Sequence, residues 1–247
     1  MTAADVINGD ARWATLVGDV RETLRGVPDG CAQTCVTSPP YFGLRDYGNA
    51  AQIGQETTPR EFVDALVAAM RDVRRLLADD GPLWPNIGDS YSQQGNGYKP
   101  KDLLGIPWRL AFALQDDGWY LRSDIIWAKP NPMPESVTDR PTRAHEYVFL
   151  LTKRSRYFYD ADAIKEPSVM KPQNRLTARA EHPKGDTGRS MHLRPEGGTS
   201  YNSRNARRVW NVPTDSFGGA HFATMPPELA RRCILAGSRR GDVVLDP

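Results

Sequence analysis

The stretch Val36-Thr37-Ser38-Pro39-Pro40-Tyr41 decides how the rest of the chain is read. Cys31 to Thr37 resembles a strand, and the two prolines stop it, because proline fixes φ and has no N–H for a ladder. In open α/β sheets ligands bind beyond the carboxyl ends of strands, so a loop at this point is placed for chemistry. The proline carbonyls are left free to accept, a hydroxyl stands before them and an aromatic ring after them. Such a surface suits a planar ring bearing an amino group, with Tyr41 stacking on it while Ser38 and a loop carbonyl accept the amino hydrogens.

Outward from this loop, strands alternate with helices. Thr58-Pro59-Arg60-Glu61 is a capping-box start with proline at the first helical position. Phe62, Val63, Leu66, Val67, Met70, Val73, Leu76 and Leu77 then recur at three- and four-residue steps, predicting a helix that ends near Asp80-Gly81. Leu83 to Ile87 reads as a buried strand, Leu103 to Gln115 as a helix interrupted by Pro107, and Leu121 to Trp127 and Tyr147 to Thr152 as strands. Pro226 to Ala236 predicts a helix, followed by the strand Val243-Val244-Leu245. The fold class is therefore α/β, an open and mainly parallel sheet with helices on both faces. A further strand is expected near Leu16.

The 247 residues suffice for one sizeable domain carrying an insertion. The 21 Gly and 20 Pro predict long loops, while 39 % hydrophobic content excludes a disordered or collagen-like chain. The N-terminus lacks a basic start followed by an apolar stretch, and the longest strongly apolar run is Tyr147 to Leu151, so neither a secretory signal nor a membrane span is expected. A cytoplasmic location follows as the expectation. Cys31, Cys35 and Cys233 match no disulfide framework or zinc quartet and read as buried thiols of a reducing compartment. His145, His182, His192 and His221 have no metal-ligand spacing, so no metal is expected. Trp84, Trp108, Trp119, Trp127 and Trp210 read as core or loop anchors.

The net charge of +2 hides an uneven distribution. Between Pro167 and Arg208 stand nine basic residues (Lys171, Arg175, Arg179, Lys184, Arg189, Arg194, Arg204, Arg207 and Arg208) against three acidic ones, with only scattered apolar residues. Residues 167–208 thus read as a basic insertion, between a catalytic part at 1–166 and a return to the same domain at 209–247. Either it is a solvated loop, or it is a nucleic-acid contact surface that orders on binding.

The Thr-Ser-Pro-Pro-Tyr loop resembles that of the amino-group DNA methyltransferases, and most closely their cytosine N4 branch. Phe42-Gly43-Leu44-Arg45-Asp46-Tyr47-Gly48 continues the loop in the same manner. Leu83-Trp84-Pro85-Asn86-Ile87-Gly88-Asp89-Ser90-Tyr91, Ile125-Ile126-Trp127-Ala128-Lys129-Pro130-Asn131 and His145-Glu146-Tyr147-Val148-Phe149-Leu150 look like later motifs of that family in the right order. Gly241-Asp242-Val243-Val244-Leu245-Asp246-Pro247 looks like the start of the donor-binding motif, so the catalytic loop comes first and the donor motif last.

The resemblance implies a Rossmann-like methyltransferase sheet in strand order 3-2-1-4-5-7-6, S-adenosylmethionine as methyl donor without a metal, and double-stranded DNA as partner. It assigns Ser38, Pro39, Pro40 and Tyr41 to catalysis. Asp19, Thr37, His221, Phe222, Pro226, Asp246 and Pro247 fall to the donor, with Met225 departing from the family's Phe-Pro. Arg45, Lys171, Arg175, Arg179, Arg204, Arg207 and Arg208 fall to the DNA. The exocyclic amine is a poor nucleophile whose hydrogens the loop must orient, and a base inside a duplex must be flipped out to reach it. Lys129-Pro130-Asn131 either lines the base pocket or simply ends a strand. Adenine N6 is the alternative target, since both bases present an amino group to the same acceptors. A different reading is a truncated or split fragment that binds DNA without a complete donor site. It rests on the stop at Asp246-Pro247, and it implies a second chain; a companion restriction enzyme is the other expected partner.

Overall fold

A computed structural model of the chain describes residues 1–93, 97–168, 203–215 and 224–247. In chain order its elements are helices α1 (Ala3–Ile7) and α2 (Val20–Thr23), strand β1 (Thr34–Thr37), helix α3 (Pro59–Leu76), strand β2 (Pro82–Ile87) and helix α4 (Ile106–Asp116). Strands β3 (Tyr120–Ala128), β4 (His145–Thr152), β5 (Glu166–Pro167), β6 (Ser203–Arg204) and β7 (Val209–Asn211), helix α5 (Pro227–Gly237) and strand β8 (Val244–Leu245) follow.

Six of the strands form one sheet in the order β7-β3-β4-β2-β1-β8. β1 lies between β2 and β8, parallel to both, with Cys35 opposite Leu83 on one side and Leu245 on the other. Only β4 runs against its neighbours β2 and β3, so the expected parallel sheet holds everywhere else. From β8 outward the arrangement reproduces the 1-4-5-7-6 part of the order that the resemblance implied.

Alternation along the central strands divides the core between the two faces, as a period of two requires. Cys35, Leu83, Phe149 and Leu151 join the cluster beneath α3 and α4. Val36, Trp84, Val148 and Leu150 join the cluster beneath α5. The α3 stripe Phe62, Leu66, Val73 and Leu76 is almost wholly removed from solvent, each side chain contributing about 1.5–3 kcal/mol. Thr58 and Glu61 form the reciprocal capping box at its start. Trp84, Trp119, Trp127 and Trp210 are all buried anchors.

Four details differ from the sequence expectations. α3 stops at Leu76, short of Gly81, because Leu77 turns to extended backbone and Ala32 pairs with it as an isolated bridge. Pro107 lies in the first turn of α4 rather than interrupting it, where its missing N–H costs nothing. No strand forms near Leu16: among the described residues that segment pairs with nothing, and Leu16 and Val17 face outward with no alternating neighbours to bury them. Inside the 167–208 stretch, Pro167 pairs with Ser203 and Glu166 with Arg204, a two-stranded neck at the insertion's base.

Candidate active site

The carboxyl ends of β1, β2 and β8 and the beginning of the antiparallel β4 meet on one rim of the sheet. The short 238–243 connection reverses the chain between α5 and β8, so the N-terminus of α5 lies at that rim as well. Ser38 is exposed at the tip of β1, Pro39 is buried and Pro40 exposed. Thr37 is 2 % exposed and stands beside Asp246, which follows the neighbouring β8. Burial pushes the Asp246 carboxyl above its usual range, against the lowering effect of the Thr37 hydroxyl.

Tyr41 is held from behind by residues of three other segments. Its hydroxyl donates to Glu146 Oε2 over 2.5 Å, and the Asn86 amide donates to the same oxygen over 3.2 Å. Lys129, at the end of β3, pairs with the other carboxylate oxygen, while its ammonium lies 4.3 Å from the Trp127 ring centroid. Asn86 also donates to the Tyr147 carbonyl (3.1 Å), which fixes the end of β2 against β4. Gly88 touches the ring: a Cβ there would lie 2.8 Å from Tyr41 Cε2. Burial first, and the adjacent Glu146 carboxylate second, hold the Tyr41 hydroxyl well above the ordinary phenol range, so it stays protonated.

The loop beyond Tyr41 closes on itself. The Gly43 N–H donates to the Gly54 carbonyl (2.8 Å), and the Arg45 carbonyl accepts from the side chains of Gln52 and Gln55. Leu44 and Tyr47 are left exposed on it. On the far side of the rim, the 129–144 connection is pinned by Arg143 to the Asp89 carbonyl, by Arg140 to Glu135 and by Arg140 lying 4.0 Å over the Tyr91 ring. Asn131 is stapled to Thr214 by three hydrogen bonds. Of the Lys129-Pro130-Asn131 trio, Lys129 thus faces the site and Asn131 ties two connections together.

The family model described as DNA methylase matches residues 32–247. The chain belongs to the DNA methylase family. Among curated methylases it is 48 % identical to the Type II methyltransferase M.SmaI of Serratia marcescens, an alignment that covers 94 % of this chain and 77 % of that one. It is 49 % identical to M.XycI of Xanthomonas campestris pv. cyanopsidis, covering 96 % and 76 %. Among solved structures, the cytosine-N4-specific PvuII DNA methyltransferase shares the fold with a TM-score of 0.64 at 18 % identity, covering 93 % of this chain and 72 % of that one. A Thermus thermophilus protein described as a candidate DNA modification methylase, complexed with S-adenosylmethionine, aligns at 27 % identity and a TM-score of 0.55, covering 94 % and 76 %.

Within this methylase fold, Ser38, Tyr41, Thr37 and Asp246 come together at the rim, with Pro247 following Asp246. Pro226 is the buried N-cap residue of α5. Asp19 instead caps α2: it accepts from the Arg21 N–H (2.9 Å) and pairs with the Arg21 guanidinium (2.5 Å), which holds its carboxyl down at about 2. Arg45 is half-buried in the closed loop. Each neck arginine has an acidic partner, Glu166 for Arg204 (3.4 Å) and Arg207 (2.9 Å), and Asp124 for Arg208. His221, Phe222, Lys171, Arg175 and Arg179 lie outside the described residues. The sequence motifs contain Asn86, Gly88 and Glu146 without marking a role for them; their positions at the end of β2 and the start of β4 are the available signal.

Proposed function

We propose that this chain is a site-specific DNA methyltransferase that uses S-adenosylmethionine to methylate the exocyclic N4 amine of a flipped-out cytosine. The observation that carries the reading is the exposed Ser38 at the tip of β1, flanked on one side by the anchored Tyr41 and on the other by Thr37 and Asp246.

The rim fits the donor's chemistry. The N-cap of α5 is a proline without a side-chain cap, Pro227 follows it and Leu229 already donates to the Pro226 carbonyl, so the Glu228 N–H is the first-turn amide left for a carboxylate such as the donor's methionine end. Thr37, Pro226, Asp246 and Pro247 would hold the donor, together with Asp19, His221 and Phe222. When bound, S-adenosylmethionine supplies a methyl group on a sulfonium. The protein's own part is to orient the amine. Ser38 Oγ and the Pro39 carbonyl accept its two hydrogens, which turns the nitrogen lone pair out of conjugation and toward the methyl group. Tyr41 stacks on the base. Cys31 and Cys35 precede the loop and do not lie in its Pro-Pro turn, and burial holds the Cys35 thiol up, which supports direct transfer without a cysteine adduct.

Flipping a base costs a few kcal/mol. Phosphate contacts from Arg45, Lys171, Arg175, Arg179, Arg204, Arg207 and Arg208 would offset it, with residues 167–208 serving as the recognition region between the two catalytic stretches. A companion restriction endonuclease of the same DNA site is the expected biological partner. The test is incorporation of labelled methyl groups into duplex DNA, followed by digestion to nucleosides and mass spectrometry. N4-methylcytosine that disappears in Ser38→Ala and Tyr41→Ala supports the reading. N6-methyladenine would overturn the choice of base, and incorporation unaffected by both substitutions would overturn the loop assignment. Calorimetry with S-adenosylmethionine tests the donor site directly; no binding by the chain would sink it.

A further inference from the structure

We propose that the end of the sheet opposite the reactive loop carries a second binding site, centred on Arg74, for a phosphate-bearing anion. β2 begins and β4 ends there, with Pro82 paired to Thr152, and a cleft of about 540 Å³ opens beside them. Every residue lining that cleft is charged, five cationic and two acidic. Arg71, Arg74 and Arg75 come from one face of α3, as spacings of three and four residues require. Asp79 follows that helix, Asp117 is the C-cap of α4, and Lys153 and Arg154 follow β4. Segments far apart in the sequence thus meet in one cleft whose excess of positive charge draws anions. None of them belongs to the rim that carries Ser38.

Part of this charge is accounted for by the fold. Arg75 donates to the Leu24 and Val27 carbonyls and pairs with Asp29 (2.5 Å) and Asp72 (3.6 Å), outside the cleft. Lys153 donates to the Leu77 carbonyl just beyond α3, and cations at a helix C-terminus complement its dipole. Arg71, Arg154 and Arg74 remain. Arg71 places both of its bonds on one oxygen of Asp117, and Arg154 shares Asp79 with Lys153. Arg74 pairs with no carboxylate among the described residues. Its Nη2 donates to the Gly118 carbonyl (3.2 Å), its guanidinium lies 5.7 Å from the Trp119 ring centroid, and its Nε is buried without an acceptor. A guanidinium is a fork of donors that fits phosphate oxygens, and here one stands un-neutralised between two others. Asp79 is the competing anion. Its side chain is 68 % exposed, and exposed ion pairs hold weakly, so a phosphate can take its place on Arg154 and Lys153.

Calorimetry of the whole chain with inorganic pyrophosphate at low ionic strength tests the site. Arg74→Gln and Arg154→Gln should each weaken binding by roughly tenfold, the loss of one charge-assisted contact. Asp79→Asn removes the competitor and should tighten binding by about threefold or more. Tighter binding cannot come from a damaged fold, so this variant keeps the test decisive if Arg74→Gln loses stability. A wild-type chain that binds no pyrophosphate, affinities within about twofold of wild type in both arginine variants, or weaker binding in Asp79→Asn would each overturn the proposal. The source of the phosphate is read by competition. Displacement of pyrophosphate by a short DNA duplex, sensitive to the same three substitutions, assigns the cleft to the backbone of a DNA segment other than the one at Ser38. Pyrophosphate binding that the duplex leaves intact assigns it to a free phosphate compound. The outcome does not depend on methyl transfer, so a chain that methylates nothing leaves this test standing.

Discussion

Replacing Gly88 by alanine is the smallest perturbation that reaches the reactive loop without touching it. Gly88 lies outside the left-handed region, so alanine meets no backbone penalty, and the whole effect comes from one methyl group. That methyl would lie 2.8 Å from Tyr41 Cε2, 3.2 Å from Cδ2 and 3.4 Å from Glu146 Cγ. Carbon atoms rest at about 3.5–4.0 Å, so the ring must retreat by about 0.7 Å or more. Its hydroxyl is anchored to Glu146 at 2.5 Å, and a retreat of that size either breaks the anchor or shifts the loop that carries Tyr41. Misplacement by about 1 Å costs on the order of 100-fold in rate, so Gly88→Ala should slow single-turnover methyl transfer by roughly 10- to 100-fold. The overpacking should cost about 1–3 kcal/mol in urea unfolding. In a Tyr41→Ala background the methyl has room, and the stability cost should vanish. A Gly88→Ala protein methylating within twofold of wild type, or an equal stability loss in both backgrounds, would show that Tyr41 is not held by this contact.

Three further outcomes are expected. Arg21 holds Asp19, and Arg231 with Arg232 hold Glu228, at about 2; these depressed carboxyls stabilise the fold above about pH 4.5 and lose that contribution as pH falls toward 2. Thermal melts from pH 5 to pH 2 should show the decline, and Asp19→Asn, which keeps the cap, should make it shallower; an unchanged slope would refute the Asp19 share. Burial raises the thiols of Cys35 and Cys233, so a disulfide reagent at pH 8 should modify at most Cys31 in the native protein and all three cysteines in urea, and rapid native labelling of Cys35 would contradict the structure. Gly237→Ala places a Cβ 2.5 Å from Thr34 Oγ1 and 2.8 Å from Trp84 Nε1. The overpacking, about 1–3 kcal/mol, should outweigh the roughly 1 kcal/mol gained in helix propensity, and a more stable variant in urea would show that α5 can slide on β1.

The sequence by itself determined most of the central strands and helices and the proline stop that makes the loop. Periodicity at Phe62 to Leu76, the capping box at Thr58 and the proline stop after Thr37 are local signals, and each survives in the structure because the physics that writes them acts over a few residues. Where local signals were thin, the reading failed: Leu16 and Val17 have no alternating partners, and they form no strand. Pro107 was misplaced because a proline inside an apolar run reads equally as a break or as a first turn.

Only the tertiary structure decided what holds the reactive loop. The sheet order brings Tyr41, Asn86, Lys129 and Glu146 to one rim, although 105 residues separate Tyr41 from Glu146. No periodicity links residues at such separations, because their contact depends on β4 running antiparallel between β2 and β3. The same placement turns an ordinary glycine at 88 into the backing of a tyrosine ring.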